Sequence, residues 1–166
     1  MHRLDEIIDN VWLGNYSAAE DIKDLQSKGI KKILTLIDQD GPNYKNEDGF
    51  IHKKLKVEDA VNQNIIRYFG ECLKFIKGKE KVLVHCMAGA SRSATIVIAY
   101  IMWTEKKNFS DALNLTQKKR FIVYPNAGFR EQLKLFENKL IDNDYDIDKI
   151  NFDEIKWEPK EDLDDF

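Results

Sequence analysis

A chain of 166 residues, 43% hydrophobic and 33% charged, is sized for one domain around one core. Its apolar runs fall well short of the ~20 residues of a membrane span, its first residues lack the apolar centre of a signal peptide, and its two cysteines make no disulfide framework. The net charge of −3 is uneven: residues 142–166 hold eleven acids and three bases, which leaves residues 1–141 at +5. The expectation is a protein of a reducing cytosolic or nuclear setting, with no membrane partner and a mildly basic body suited to an anionic ligand.

Taken in order, Ile7-Ile8 and Val11-Trp12-Leu13 read as a hairpin or two edge strands. Ser17 with Glu20 forms a capping-box pattern, which predicts a helix running to about Lys28 and stopping at Gly29. Residues 32–37 are a buried strand and 38–49 a polar loop. Residues 51–57 form the next strand, with His52 read as a surface histidine because no second ligand is spaced for a metal. Apolar positions between 61 and 77 predict a helix that ends at Gly78, with Cys72 as packing. A strand at 81–85 and a helix at 92–105, apolar nearly all round and so buried, come next. Ser110 is the expected cap of a helix over 111–119, and Pro125-Asn126 opens the last one, with Phe129, Leu133, Phe136 and Leu140 inward. Strands alternating with helices predict an α/β fold: a central mixed, largely parallel sheet flanked by helices.

Between the strand at 81–85 and the buried helix lies His85-Cys86-Met87-Ala88-Gly89-Ala90-Ser91-Arg92-Ser93. A strand feeding straight into a helix leaves loop and first-turn N–H groups free to converge on an anion. Gly89 and the small Ala88, Ala90 and Ser91 let that backbone curl closely around a ligand. Arg92 adds a planar fork that matches two phosphate oxygens. The thiolate is the attacking form of a cysteine, and donors gathered around Cys86 suit a negative charge there. Ser93 can donate to the sulfur and help it leave. The sequence therefore points to a loop, residues 87–92, that grips a phosphoryl group while Cys86 attacks it.

Such a reaction needs an acid to protonate the departing oxygen and then a base to activate water. Glu58 and Asp59 both stand where a strand ends and a loop begins.

His-Cys-x5-Arg-Ser resembles the signature of the cysteine-dependent protein tyrosine phosphatase superfamily, and residues 82–95 resemble its dual-specificity branch. The similarity runs from about residue 8 to about residue 140. It implies a phosphatase-like fold, a catalytic domain over 1–141 and a reaction without metal or organic cofactor. Residues 142–166 are an acidic extension beyond that core, and the Ile147, Ile150, Phe152, Ile155 and Trp157 interleaved with its acids lead to the expectation that it docks on the core. The resemblance selects Asp59 as the acid, because the family's Asp precedes an Asn-Ile or Asn-Leu pair by five positions and Asn64-Ile65 fits only Asp59. Arg120 and Asn126 match the family's Arg-x5-Asn spacing, with Asn126 expected to buttress the phosphate loop and His85 to hold Cys86 from behind. Phe121 stands where proline is common and Ala90 where valine is common. The loop lacks the lysine of phosphoinositide phosphatases, which favours phosphoprotein substrates over inositol lipids.

The length matches the small atypical members, without a kinase-docking domain or the insertion that deepens the pocket for phosphotyrosine alone. Phosphotyrosine and phosphoserine/threonine proteins are the substrates this implies. Two alternatives stand beside that reading. One is a module that binds phosphoproteins without hydrolysis, although its usual loss of Cys or Arg is not seen here. The other is a phosphatase of RNA 5′ ends or carbohydrate phosphate, for which the body is weakly basic and no carbohydrate module is visible; no nucleic acid is expected. The sequence carries no sign of oligomeric state.

Overall fold

The computed structural model describes residues 2–160; the last six residues of the expected extension, 161–166, lie outside the described residues. Strands β1 (Leu4–Ile8), β2 (Val11–Gly14), β3 (Ile30–Ile37), β4 (Ile51–Lys56) and β5 (Lys81–His85) form one sheet in the order β1-β2-β5-β3-β4. Only β1 and β2 run antiparallel; every other pair is parallel. The mixed, largely parallel α/β sheet is as expected, and of the two expectations for the first strands the hairpin holds: β1 is an edge strand and β2 lies between it and the central β5.

Side chains alternate across a strand, and this builds a core on each face. Leu34, Leu36, Val82 and Val84 point into the larger core, shared with α3 (Phe69–Ile76), α4 (Arg92–Thr104), α5 (Phe109–Lys119) and α6 (Ala127–Asp142). Ile33 and Leu83 point the other way, onto Ala19 and Leu25 of α1 (Tyr16–Glu20) and α2 (Ile22–Ser27). Covered on both sides, β3 and β5 read as continuous apolar runs. α4 is buried from Arg92 to Met102, so the helix that follows residues 86–91 is packed on all sides.

Helix starts differ from expectation. Asn15, not Ser17, caps α1 by accepting from Ala18 N at 2.9 Å. Asp21 then breaks the helix and caps α2 from its side chain, so one expected helix is two. Asn108, not Ser110, caps α5. The helix expected from residue 61 begins as a 3-10 turn at Ile66–Tyr68, because Gln132 Oε1 of α6 accepts the N–H groups of Ile65 and Ile66 and holds residues 58–64 as a loop.

The extension beyond α6 makes two 3-10 turns, Ile147–Lys149 and Phe152–Glu154. Asp148 pairs with Lys74, Phe152 packs on Phe136 and against Gly70, and Asn64 Nδ2 donates to Ile155 O. These contacts lie on the flank formed by α3, α6 and residues 64–68.

Candidate active site

The C-terminal ends of the parallel strands meet at one edge of the sheet, where open α/β sheets bind ligands. Gly14 and Asn15 follow β2, Asp38 follows β3, Asp59 lies just past β4 and Cys86 follows β5. Cys86 is 2% exposed, and its Sγ lies 3.0 Å from Ser93 Oγ.

Every carbonyl of residues 86–91 is tied to a partner outside the loop. His85 Nδ1 lies 3.1 Å from Cys86 O, Tyr16 N donates to Met87 O, and Tyr124 N donates to Ala90 O. Arg120 donates from Nη2 to Ala88 O and from Nε to Gly89 O, at 3.0 and 2.9 Å. Thr95 donates to Ser91 O from both N and Oγ1. In a trans peptide the C=O and the next N–H point in opposite directions. Anchoring the six carbonyls outward therefore turns the N–H groups of residues 87–92 away from those partners, toward the inside of the loop. Gly89 makes the curl feasible: its φ is +70°, and a Cβ there would lie 2.6 Å from Gly14 O.

Arg92 is 8% exposed. Its Nη1 donates to Asp38 Oδ1 at 2.9 Å and to Val57 O at 3.0 Å, while its buried Nε has no acceptor among the described residues. One corner of the guanidinium is thus fixed, and the edge carrying Nε remains for an oxyanion.

Asp59 Oδ1 accepts from Ser91 Oγ at 2.7 Å and from Asn126 Nδ2 at 3.0 Å. With Oδ1 occupied as an acceptor, a proton on this carboxyl sits on Oδ2. Asn126 also accepts Phe129 N to cap α6, and its own N–H donates to Ser91 Oγ. The loop holding Asp59 closes on α6 at Gly128, where any Cβ would collide with the Val61 backbone.

Behind the loop, His85 Nε2 lies 2.7 Å from Thr35 Oγ1, which lies 2.8 Å from His52 Nε2. Burial pushes His85 down to about 4, so its ring is neutral near pH 7. His52 is also lowered, by burial first and Lys54 second. The expectation of a surface histidine is corrected: His52 is half-buried and bonded into this chain, because its alternating position on β4 aims it at Thr35 of the neighbouring strand.

Residues 11–139 match the family model of the dual specificity phosphatase catalytic domain. The chain belongs to the dual specificity phosphatase family. It is 37% identical over 144 residues to dual specificity protein phosphatase 1B of Arabidopsis thaliana, covering 84% of this chain and 85% of that protein. It is 36% identical over 139 residues to human dual specificity protein phosphatase 22, covering 81% and 73%. It is similar to the crystal structure of the human tyrosine phosphatase-like serine/threonine/tyrosine-interacting protein, with a TM-score of 0.79, 38% identity, and 84% and 99% coverage. As a dual specificity phosphatase it is a protein-tyrosine/serine/threonine phosphatase by class.

The structure brings Cys86, Arg92, Ser93, Asp59 and the backbone of Met87, Ala88, Gly89, Ala90 and Ser91 together at this edge of the sheet. Among the described residues Asn126 reaches the loop through Ser91 Oγ, while the carbonyls of Ala88 and Gly89 are held by Arg120, the other residue of the Arg-x5-Asn spacing. Ser91 contributes its hydroxyl to Asp59 rather than to the pocket. Tyr16, Thr35 and Asp38 were not singled out. For Asp38, its place at the end of a buried strand was the available signal.

Proposed function

We propose that this dual specificity phosphatase hydrolyses phosphotyrosine and phosphoserine/threonine in proteins through a cysteinyl-phosphate intermediate. Cys86 Sγ attacks phosphorus, an S–P bond forms and the bond to the substrate oxygen breaks. Asp59 Oδ2 gives that oxygen its proton. Water then attacks phosphorus, Asp59 takes the water's proton, and the S–P bond breaks while Ser93 donates to the departing sulfur. The N–H groups of residues 87–92 and Arg92 hold the three phosphoryl oxygens throughout and stabilise their growing charge. The observation that carries this reading is the joining of the two loops: Asp59 is hydrogen-bonded to Ser91, a member of the loop that begins at Cys86.

Phosphoproteins are favoured as substrates by the relatives. One, at 42% identity over 141 residues, is a Dictyostelium discoideum protein named MAP kinase phosphatase with leucine-rich repeats, of which the match covers 16%. A second reading, a pocket that binds phosphoproteins without turning them over, draws on the human relative described as phosphatase-like and interacting.

Hydrolysis of a small aryl phosphate by wild type, Cys86→Ser and Asp59→Ala, with EDTA throughout, tests the proposal. Activity that survives EDTA, disappears with Cys86→Ser and falls at least about a hundredfold with Asp59→Ala supports it. An inactive wild type that still binds phosphopeptides overturns it in favour of the second reading.

A further inference from the structure

The hydrogen bonds behind the phosphate loop have only one self-consistent direction. Cys86 C=O can only accept, so His85 Nδ1 carries its hydrogen. A neutral imidazole has one N–H, so His85 Nε2 is an acceptor and the hydrogen in the 2.7 Å contact belongs to Thr35. The Thr35 hydroxyl has then spent its only hydrogen. In the 2.8 Å contact with His52 it must accept, and His52 carries its hydrogen on Nε2. Thr35 and His85 are both 0% exposed, so no solvent substitutes for either partner.

We propose that His52 is a positioning residue for the phosphate loop: by donating from Nε2 to Thr35 it locks His85 as the Nδ1–H tautomer and so fixes the Cys86–Met87 peptide plane. This rests on reading residues 86–92 as the phosphate-binding loop.

Without the His52 donor, Thr35 is free to turn its hydrogen away and accept from His85 Nε2–H. The Nδ1 lone pair would then face Cys86 O at a distance suited only to a hydrogen bond. That repulsion loosens the peptide whose N–H, on Met87, points at the bound oxyanion. Tyr44 packs edge-on against the His52 ring at 4.9 Å, and Lys54 lies two positions along the same strand. Protonation of His52 keeps Nε2–H in place, so the lock does not depend on the charge of His52.

The chain has three histidines, so histidine-labelled protein gives a long-range 1H–15N spectrum simple enough to read tautomers directly. Wild type should have His85 as Nδ1–H. In His52→Phe, His85 should gain an Nε2–H population, and kcat for an aryl phosphate should fall roughly three- to tenfold, the worth of one hydrogen bond. Inhibition by inorganic phosphate should weaken in parallel. His52→Gln, which restores an N–H donor, should recover most of both losses. The proposal is overturned if His85 keeps the Nδ1–H form in His52→Phe, or if Gln is as impaired as Phe, which would assign the effect to packing. A wild type with no phosphatase activity would instead overturn the preceding reading, so the two failures are told apart.

Discussion

The 2.7 Å hydrogen bond from Ser91 Oγ to Asp59 Oδ1 fastens the loop that carries Asp59, the proposed acid, to residues 86–92, the proposed phosphate loop. Ser91→Ala removes the fastening but leaves Asn126 holding the same oxygen. The expected outcome is a fall in kcat of about tenfold for alkyl phosphates, which need the acid most, and a smaller fall for an aryl phosphate with a good leaving group. Steady-state kinetics across a series of leaving groups checks this; an equal loss for all would mean that Ser91 acts on phosphate binding instead.

Arg120 organises two loop carbonyls and also bonds to Asp5 and His2 O, while itself 3% exposed. Arg120→Met should cost about 3 kcal/mol, because it strands the Asp5 carboxylate and the carbonyls of His2, Ala88 and Gly89. Arg120→Lys keeps the charge but not the planar fork, so it should recover stability better than kcat/KM. Urea denaturation and kinetics on the same samples separate the two effects.

Gly128 lies where a methyl group meets the Val61 backbone. Gly128→Ala should push residues 58–64 away from α6 and lower kcat, while Cys86 stays open to stoichiometric alkylation. Equal activity in the variant would mean that the Asp59 loop tolerates displacement.

His85 has a pKa near 4 when folded against an ordinary value of 6.5. Between these values the unfolded chain binds a proton that the folded chain refuses, so stability falls as pH drops from about 6.5 to 4 and is complete above that range. The loss amounts to ~3 kcal/mol for His85, and His52, lowered in the same direction, adds to it. Chemical denaturation over this range should reveal the slope, and His85→Gln should flatten it.

Phe152 is buried against α6 and the start of α3. Phe152→Ala should destabilise by about 3 kcal/mol with kcat/KM unchanged, since Phe152 itself packs on Phe136 of α6 and against Gly70 of α3. A rise in kcat/KM would mean that the extension restrains the site.

The phosphate loop was legible because its chemistry is consecutive: strand, nucleophile, small residues, arginine and helix follow one another in nine positions. Asp59 stood out from Glu58 only through the family resemblance, whose acid loop matches Asn64-Ile65; the structure places Asp59 against Ser91 and Asn126. What was hidden depends on distance along the chain. Asp38 meets Arg92 54 positions on, and Thr35 meets His85 50 positions on, and neither leaves a local pattern. The caps were misplaced by two residues because Asn15 and Asn108 are as good at capping as the serines that follow them. The late start of α3 was set by one side chain, Gln132, from the far end of the chain.

The cradle's outward ties have a consequence for biosynthesis. Cys86 and Arg92 leave the ribosome well before Arg120 and Asn126, whose side chains organise the loop and the acid. These contacts span 31, 32 and 67 positions, so none can form until its later partner has been synthesised. A nascent chain therefore carries the Cys86 thiol before the side chains that hold the carbonyls of Ala88 and Gly89 exist.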